Sequence, residues 1–268
     1  MNPLQAAILG LVEGLTEYLP VSSTGHLILA GKVLGLEGEG QKSFEIVIQL
    51  GAILAVLIHY RKLLAERSVG LVKGRPEAVR LASALAVGFL PAAIVGLAFR
   101  KTIKAHLFGV WPVAGALIAG GVLMIVVELW RKRQHLDGLH GLENVTVGRG
   151  LAVGIGQVFS LWPGSSRSMC TIVAGQLSGL STATAAEFSF LLGLPTLGAA
   201  TVYEGYKARH ELLHGGGGLE LAIGMVVSFL VAWAVIAGFL RYLKSRGLEP
   251  FGYYRIVIGA LAFWLLAR

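Results

Sequence analysis

Six stretches of the chain stay largely apolar for about the 20 residues that a helix needs to cross roughly 30 Å of hydrocarbon. They are Phe44–Tyr60, Leu81–Phe99, Leu107–Trp130, Ala183–Tyr203, Leu219–Leu240 and Phe251–Ala267. One soluble core could not bury them all. Only 14% of the 268 residues are charged, against about 25% in a soluble domain. The sequence therefore predicts an all-α integral membrane protein. Its 37 glycines fit, because small residues let membrane helices approach closely. The net charge of +8 sits mostly in short segments between apolar runs, a pattern of loops facing anionic headgroups. No basic stripe with interleaved aromatics points to nucleic acid. The N-terminal MNPLQAAILGL lacks the basic region of a signal peptide, so it is expected in the mature fold. The single cysteine, Cys170, can form no internal disulfide.

Two further apolar regions are interrupted. Leu4–Leu19 carries Glu13 and Glu17 and stops at Pro20, and Leu151–Trp162 stops at Pro163. Each is followed by a polar serine-containing turn and a second short apolar piece, Leu27–Leu36 and Met169–Leu180. Two half-helices joined by a polar turn read as a re-entrant hairpin, which survives at membrane depth only where protein or a wet cavity shields it. The chain also repeats itself. PVSS at Pro20–Ser23 echoes PGSS at Pro163–Ser166, and AGKVLGL at Ala30–Leu36 echoes AGQLSGL at Ala174–Leu180. Glu45, Leu50 and Gly51 echo Glu187, Leu192 and Gly193. Each half is then one hairpin plus three spans, and three is odd. The expected architecture is an inverted-topology repeat with six transmembrane helices and two re-entrant hairpins. Residues 1–135 form the first repeat, 136–149 the linker and 150–268 the second.

Charge sets the expected orientation. One side collects Arg61, Lys62, Arg67, Lys73, Arg75, Arg80, Arg131, Lys132, Arg133, Arg149, Arg241, Lys244 and Arg246. The other collects Lys42, Arg100, Lys101, Lys104, Lys207 and Arg209. The first side is expected in the cytoplasm, so the mouth of the first hairpin faces outward. The glycine run at 215–218 is expected to be a flexible turn.

The hairpins hold the chemistry. Glu13 and Glu17 share a helix face, with Gly10 and Gly14 beside it to admit another backbone. Two buried like charges need a cation, an arginine or protonation. Ser22, Ser23 and Thr24 precede a half-helix, and taken alone they are a cap. His26, three residues after Ser23, adds a nucleophile–base option. In the second hairpin, PGSSRSMCT (Pro163–Thr171) offers free N–H groups at a helix start. Arg167 adds a fork of donors suited to phosphate. Acids beside a phosphate site repel the ligand unless Mg²⁺ or Ca²⁺ bridges them. Glu45, Gln49 and Glu187 are candidates to line the cavity but read chiefly as helix-to-helix hydrogen bonding. The five tryptophans, Trp162 among them, read as interfacial anchors or packing.

EGLTEYLPVSSTGHLIL and PGSSRSMCT resemble the two motifs of the BacA-type undecaprenyl pyrophosphate phosphatases, and the resemblance extends over essentially the whole chain. The E-x-x-x-E element falls on Glu13 and Glu17, and the serine–histidine element on Ser22, Ser23 and His26. The PG-x-SRS-x-x-T element falls on Pro163, Gly164, Ser166, Arg167, Ser168 and Thr171, with Ser165 at the variable position. The resemblance implies hydrolysis of a polyprenyl pyrophosphate in a bacterial inner membrane, with the site facing the periplasm, and low-level bacitracin resistance. The expected catalytic groups are Glu13, Glu17, Ser23, His26 and Arg167. Ser22, Thr24, Gly164, Ser165, Ser166, Ser168 and Thr171 join Arg167 at the pyrophosphate, and Glu13 and Glu17 are the expected ligands of Mg²⁺ or Ca²⁺. The nucleophile is either Ser23 activated by His26 or a water activated by a glutamate. The rival reading is an inverted-repeat transporter or flippase for a lipid phosphate or anion. Acid-phosphatase-like lipid phosphatases fit poorly, since no histidine follows Arg167 at their spacing. Oligomeric state stays open, a homodimer included.

Overall fold

The computed structural model describes residues 1–36, 38–107, 109–207 and 218–266. Arg209, positions 215–217 of the glycine run and the last two residues lie outside the described residues. Within them the chain is helical: α1 (Pro3–Thr16), α2 (Ser23–Val33), α3 (Glu39–His59), α4 (Arg61–Val72), α5 (Pro76–Ala98), α6 (Arg100–Leu107), α7 (Val110–Arg133), α8 (Val147–Val158), α9 (Arg167–Leu177), α10 (Thr182–Lys207), α11 (Gly218–Leu243) and α12 (Glu249–Leu266). Four stretches are long and apolar enough to cross a membrane: Pro76–Ala98, Trp111–Arg133, Thr182–Tyr203 and Gly218–Leu243. There are five if α3 and α4, bent by 70° across Tyr60, count as one broken span. The sixth expected span coincides with α12, an 18-residue helix with Arg255 in its interior.

Local signals explain the helix starts. Asn2 caps α1 and exchanges hydrogen bonds with Gln5, while Pro3 occupies the first turn, where its missing N–H costs nothing. Thr146 caps α8 through the Arg149 N–H. The interrupted regions fold as expected into pairs of short helices, α1 with α2 and α8 with α9, each pair joined by an irregular elbow. Both elbows end on a serine cap with positive φ, Ser22 at 74° and Ser166 at 71°. Each cap hydroxyl accepts from the N–H three residues on, of Gly25 and Met169 respectively.

These caps correct the alignment of the halves. The PVSS/PGSS echo pairs Ser22 with Ser165. The caps pair Ser22 with Ser166, in the same register as the AGKVLGL/AGQLSGL echo. The second elbow therefore holds one extra residue, and Ser23 corresponds to Arg167 as the first residue of its half-helix.

Glycine sets how closely the short helices approach their long neighbours. Gly10 and Gly14 of α1 face Gly224 and Ser228 of α11, so the backbone approach expected from Gly10 and Gly14 is present. Gly150 and Gly154 of α8 lie in the same way on Ala84 and Gly88 of α5. A Cβ at Gly14 would come within 2.7 Å of the Ser228 carbonyl oxygen, and overpacking of this kind costs about 1–3 kcal/mol. Gly14→Val is therefore expected to lower the thermal midpoint of the detergent-solubilised protein. Gly115→Ala, with nothing within 4 Å of the added carbon, should leave it unchanged. Size-exclusion recovery after a temperature ramp measures both.

Candidate active site

The two elbows meet at a polar pocket of about 170 Å³. The first contributes Glu17, Ser22, Ser23 and Thr24; the second contributes Trp162, Gly164, Ser166 and Arg167. Glu17 is the centre of the arrangement. Its Oε1 accepts from Arg167 Nη2 at 2.9 Å, and its Oε2 accepts from Ser23 Oγ at 2.6 Å. The corresponding first residues of α2 and α9 thus grip one carboxylate. The ion pair is buried, at 8% and 5% side-chain exposure. Burial suits a pair whose Coulomb attraction is reinforced by hydrogen bonds.

Arg167 is held on three sides. Its Nη1 donates to the Ser189 carbonyl at 3.0 Å, and its guanidinium carbon lies 5.6 Å from the centre of the Tyr18 ring. Its Nε is buried with no partner. The Tyr18 hydroxyl donates to the Ala52 carbonyl at 2.7 Å, which fixes the ring.

His26 stands apart from Ser23. Its Nδ1 lies 2.7 Å from the Ser22 carbonyl, and its Nε2 lies 2.8 Å from the Tyr254 hydroxyl, with the two rings stacked. A carbonyl only accepts, so Nδ1 carries a proton, and in the neutral ring Nε2 accepts from Tyr254. The expected Ser23–His26 hydrogen bond is not formed, and Glu17 replaces His26 as the acceptor of the Ser23 hydroxyl. Helix geometry explains this, because side chains lean toward the N-terminus over the residue four back.

Other expected residues lie behind the pocket. Ser168 is buried and donates to the Leu19 carbonyl at 2.8 Å, tying one elbow to the other. Thr171 is buried against Ser189, its Oγ1 at 2.6 Å from the Ser189 Oγ, and so stands under the residue that holds Arg167. Ser165 faces a different, apolar cavity. Glu13 is buried behind Glu17, and its Oε1 has no hydrogen-bond partner. Among the described residues no group of three or more His, Cys, Asp or Glu converges as a metal site.

The expected inventory omits several contributors. Ser160 and Thr196 border the pocket. Thr196 follows Pro195, a proline inside the continuous helix α10. Gln49 also borders the pocket while accepting from Thr201, so it lines the cavity as well as linking helices. Glu45 accepts from Gln41 one turn earlier in the same helix, α3. The largest omission is Arg255. It is fully buried, and its guanidinium donates to four carbonyls: Pro20 of the first elbow, Gly164 of the second, and Ala116 and Leu117 of α7, at 2.9–3.2 Å. An arginine 88 residues beyond Arg167 carries no local motif that would mark it.

A model of the family described as "Bacitracin resistance protein BacA" matches residues 6–261. The chain belongs to this family. It is 60% identical over 261 residues to an undecaprenyl-diphosphatase of Sorangium cellulosum, covering 97% of this chain and 85% of the relative. It is 46% identical to an undecaprenyl-diphosphatase of Thermoanaerobacter pseudethanolicus, covering 99% of this chain and 97% of the relative. A Deinococcus radiodurans protein of the same name is 45% identical over 100% of this chain and 97% of the relative.

Removing the Arg255 fork would take the donor from the Pro20 and Gly164 carbonyls of the elbows in a region with little water. Each hydrogen bond to a charged group contributes about 1.5–3 kcal/mol. Arg255→Met is expected to be strongly destabilised, and Arg255→Lys, which keeps the charge but not the fork, to lie between it and the native protein. Thermal unfolding in detergent gives the order. A native-like midpoint for Arg255→Met would show that the elbows stand without it.

Proposed function

We propose that the pocket receives the pyrophosphate of undecaprenyl pyrophosphate and that its residues carry out hydrolysis to undecaprenyl phosphate and inorganic phosphate. The observation that carries the assignment of roles is the convergence of Ser23 and Arg167 on Glu17. The reaction class agrees with family membership and with the undecaprenyl-diphosphatase relatives. Hydrolysis removes the pyrophosphate form of the carrier that bacitracin sequesters, in keeping with the family's description.

In the proposed sequence, Ser23 Oγ bonds to the terminal phosphorus as the bridging P–O bond breaks. The serine proton passes to Glu17, and undecaprenyl phosphate leaves. Water then attacks the phosphoserine, inorganic phosphate departs and Oγ regains a proton. Arg167, which lines the pocket, stabilises the charge on the transferring group. The N–H groups at the starts of α2 and α9 add to it. His26 and Tyr254 hold the Ser22 carbonyl and hence the first elbow. This reading moves the proton acceptor from His26 to Glu17. Ser23→Ala and Glu17→Gln are each expected to lower kcat by about 10²–10⁴-fold. Acid quench with substrate labelled at the terminal phosphate should trap label on Ser23. Full activity in Ser23→Ala would eliminate the covalent step and leave water as nucleophile.

A divalent cation, Mg²⁺ or Ca²⁺, would draw on one carboxylate at the pocket and one buried behind it, completed by the ligand's own phosphate oxygens. Glu13 and Glu17 would hold it, and Glu13 Oε1 is a buried acceptor with no donor. When bound, the cation would offset repulsion between acids and pyrophosphate. Binding of a non-hydrolysable pyrophosphate analogue to Ser23→Ala is expected to weaken on chelation and to recover with Mg²⁺ or Ca²⁺. Unchanged affinity in chelator would remove the cation from ligand binding.

The finer architecture belongs to the same proposal: six spans and two re-entrant hairpins in inverted halves. The matched serine caps and the matched packing of α1 on α11 and α8 on α5 support it. With the arginine-rich ends in the cytoplasm, the pocket opens to the periplasm of a bacterial inner membrane.

A further inference from the structure

The second elbow separates two cavities of opposite character. Gly164 and Ser166 face the polar pocket, while Ser165 faces a cavity of about 300 Å³. Trp162 borders both. Its indole Nε1 donates to the Pro112 carbonyl at 3.1 Å, so the ring is fixed between them. The larger cavity runs between α7, the end of α8 and α9. Its α9 wall extends from Met169 to Leu177, about 12 Å at the rise of an α-helix. On the α7 side Ala116, Ala119 and Gly120 keep the wall low. Apart from Ser165, Cys170 and the tryptophan N–H, already engaged, the side chains of this cavity offer a ligand no polar atom. A headgroup has nothing to bind there.

We infer that this groove receives the polyprenyl chain of the substrate whose pyrophosphate occupies the polar pocket. The inference rests on the phosphatase reading above. Two observations select this occupant over bulk lipid. The groove begins at the elbow that builds the pyrophosphate pocket, so a bound headgroup delivers its own tail to the entrance. Tethering then gives that tail a high effective concentration relative to free acyl chains. The lining is aliphatic and aromatic and continues away from the pocket along α9, as a long unbranching path for an isoprenoid requires. Trp162 is then the partition between head and tail, not an interfacial anchor.

The test uses the full chain in detergent micelles, with undecaprenyl and farnesyl pyrophosphate as paired substrates. Ala119 is exposed on the groove side of α7, and Leu177, also exposed, lines the far end. Ala119→Trp and Leu177→Trp fill the groove without touching the polar pocket. Each is expected to raise KM for undecaprenyl pyrophosphate about tenfold, the scale of losing hydrocarbon contacts in a pocket. The short farnesyl chain should be little affected by Leu177→Trp, and kcat should hold for both substrates. A second readout does not need turnover. A photoreactive group part-way along a polyprenyl pyrophosphate, at the depth of the groove's far end, bound to Ser23→Ala, should label α7 and α9 at Leu123 and Leu177. Label elsewhere, or an unchanged preference for the long chain in both tryptophan variants, overturns the groove and leaves it to bulk lipid. Absence of phosphate release by the native chain would instead sink the phosphatase reading, and the labelling result would still decide the groove.

Discussion

Backbone that leaves the helical path inside an apolar slab has no water to bond, so its carbonyls and N–H groups must find partners within the protein. Residues 17–22 and 159–166 are two such stretches in this chain. Arg255 serves one carbonyl in each, Pro20 and Gly164, while its other bonds, to Ala116 and Leu117, anchor it on α7. Ser168 adds a bond to Leu19 across the elbows. No carboxylate is among Arg255's hydrogen-bond partners, so its charge is stabilised by carbonyl dipoles instead of a counter-ion. The consequence is geometric. One guanidinium bonded to both elbows fixes the distance between them, which places Ser23 and Arg167 within reach of the same glutamate.

That glutamate shows why the site is built from two halves. A single buried carboxylate would be costly. Arg167 compensates its charge, and Ser23 occupies its second oxygen. Arg167 borders the pocket, and Ser189 and Tyr18 fix the rest of its side chain. A phosphate would meet a guanidinium already oriented, with little side-chain freedom left to lose.

Much of this was legible in the sequence, and the limits follow from physics. Interrupted apolar runs with prolines and serines marked both elbows, because such residues have no other use at membrane depth. Gly10 and Gly14 announced a close helix contact. Family motifs named Glu17, Ser23 and Arg167. Two local inferences went astray. Spacing put His26 near Ser23, but a helix turns the ring back over Ser22. The PVSS and PGSS strings matched as letters, while the caps align one residue later. Arg255 and Tyr254 were beyond reach, since their partners lie more than 90 residues away and only the packing of α12 on α7 brings them to the elbows. The half-buried α12, with an arginine in its middle, shows how a functional membrane helix can hide its purpose from hydropathy alone.

The two serine caps tie these points together. A non-glycine residue at positive φ carries strain of order 1–3 kcal/mol, and this chain places such a residue at the same position in each elbow. Glycine would relieve the strain but would lose the hydroxyl that accepts from Gly25 or Met169. Serine therefore gives both the sharp turn and the cap, and each turn directs the start of a half-helix at the pocket. Ser22, Ser23 and Thr24 border it from one side, Ser166 and Arg167 from the other. Two positive helix ends and Arg167 then surround a pocket whose own lining includes one carboxylate, already paired. The field at its centre favours a multiply charged anion, while the wall behind Trp162 favours hydrocarbon. A pyrophosphate carried on a long apolar chain is the ligand that meets both conditions at once.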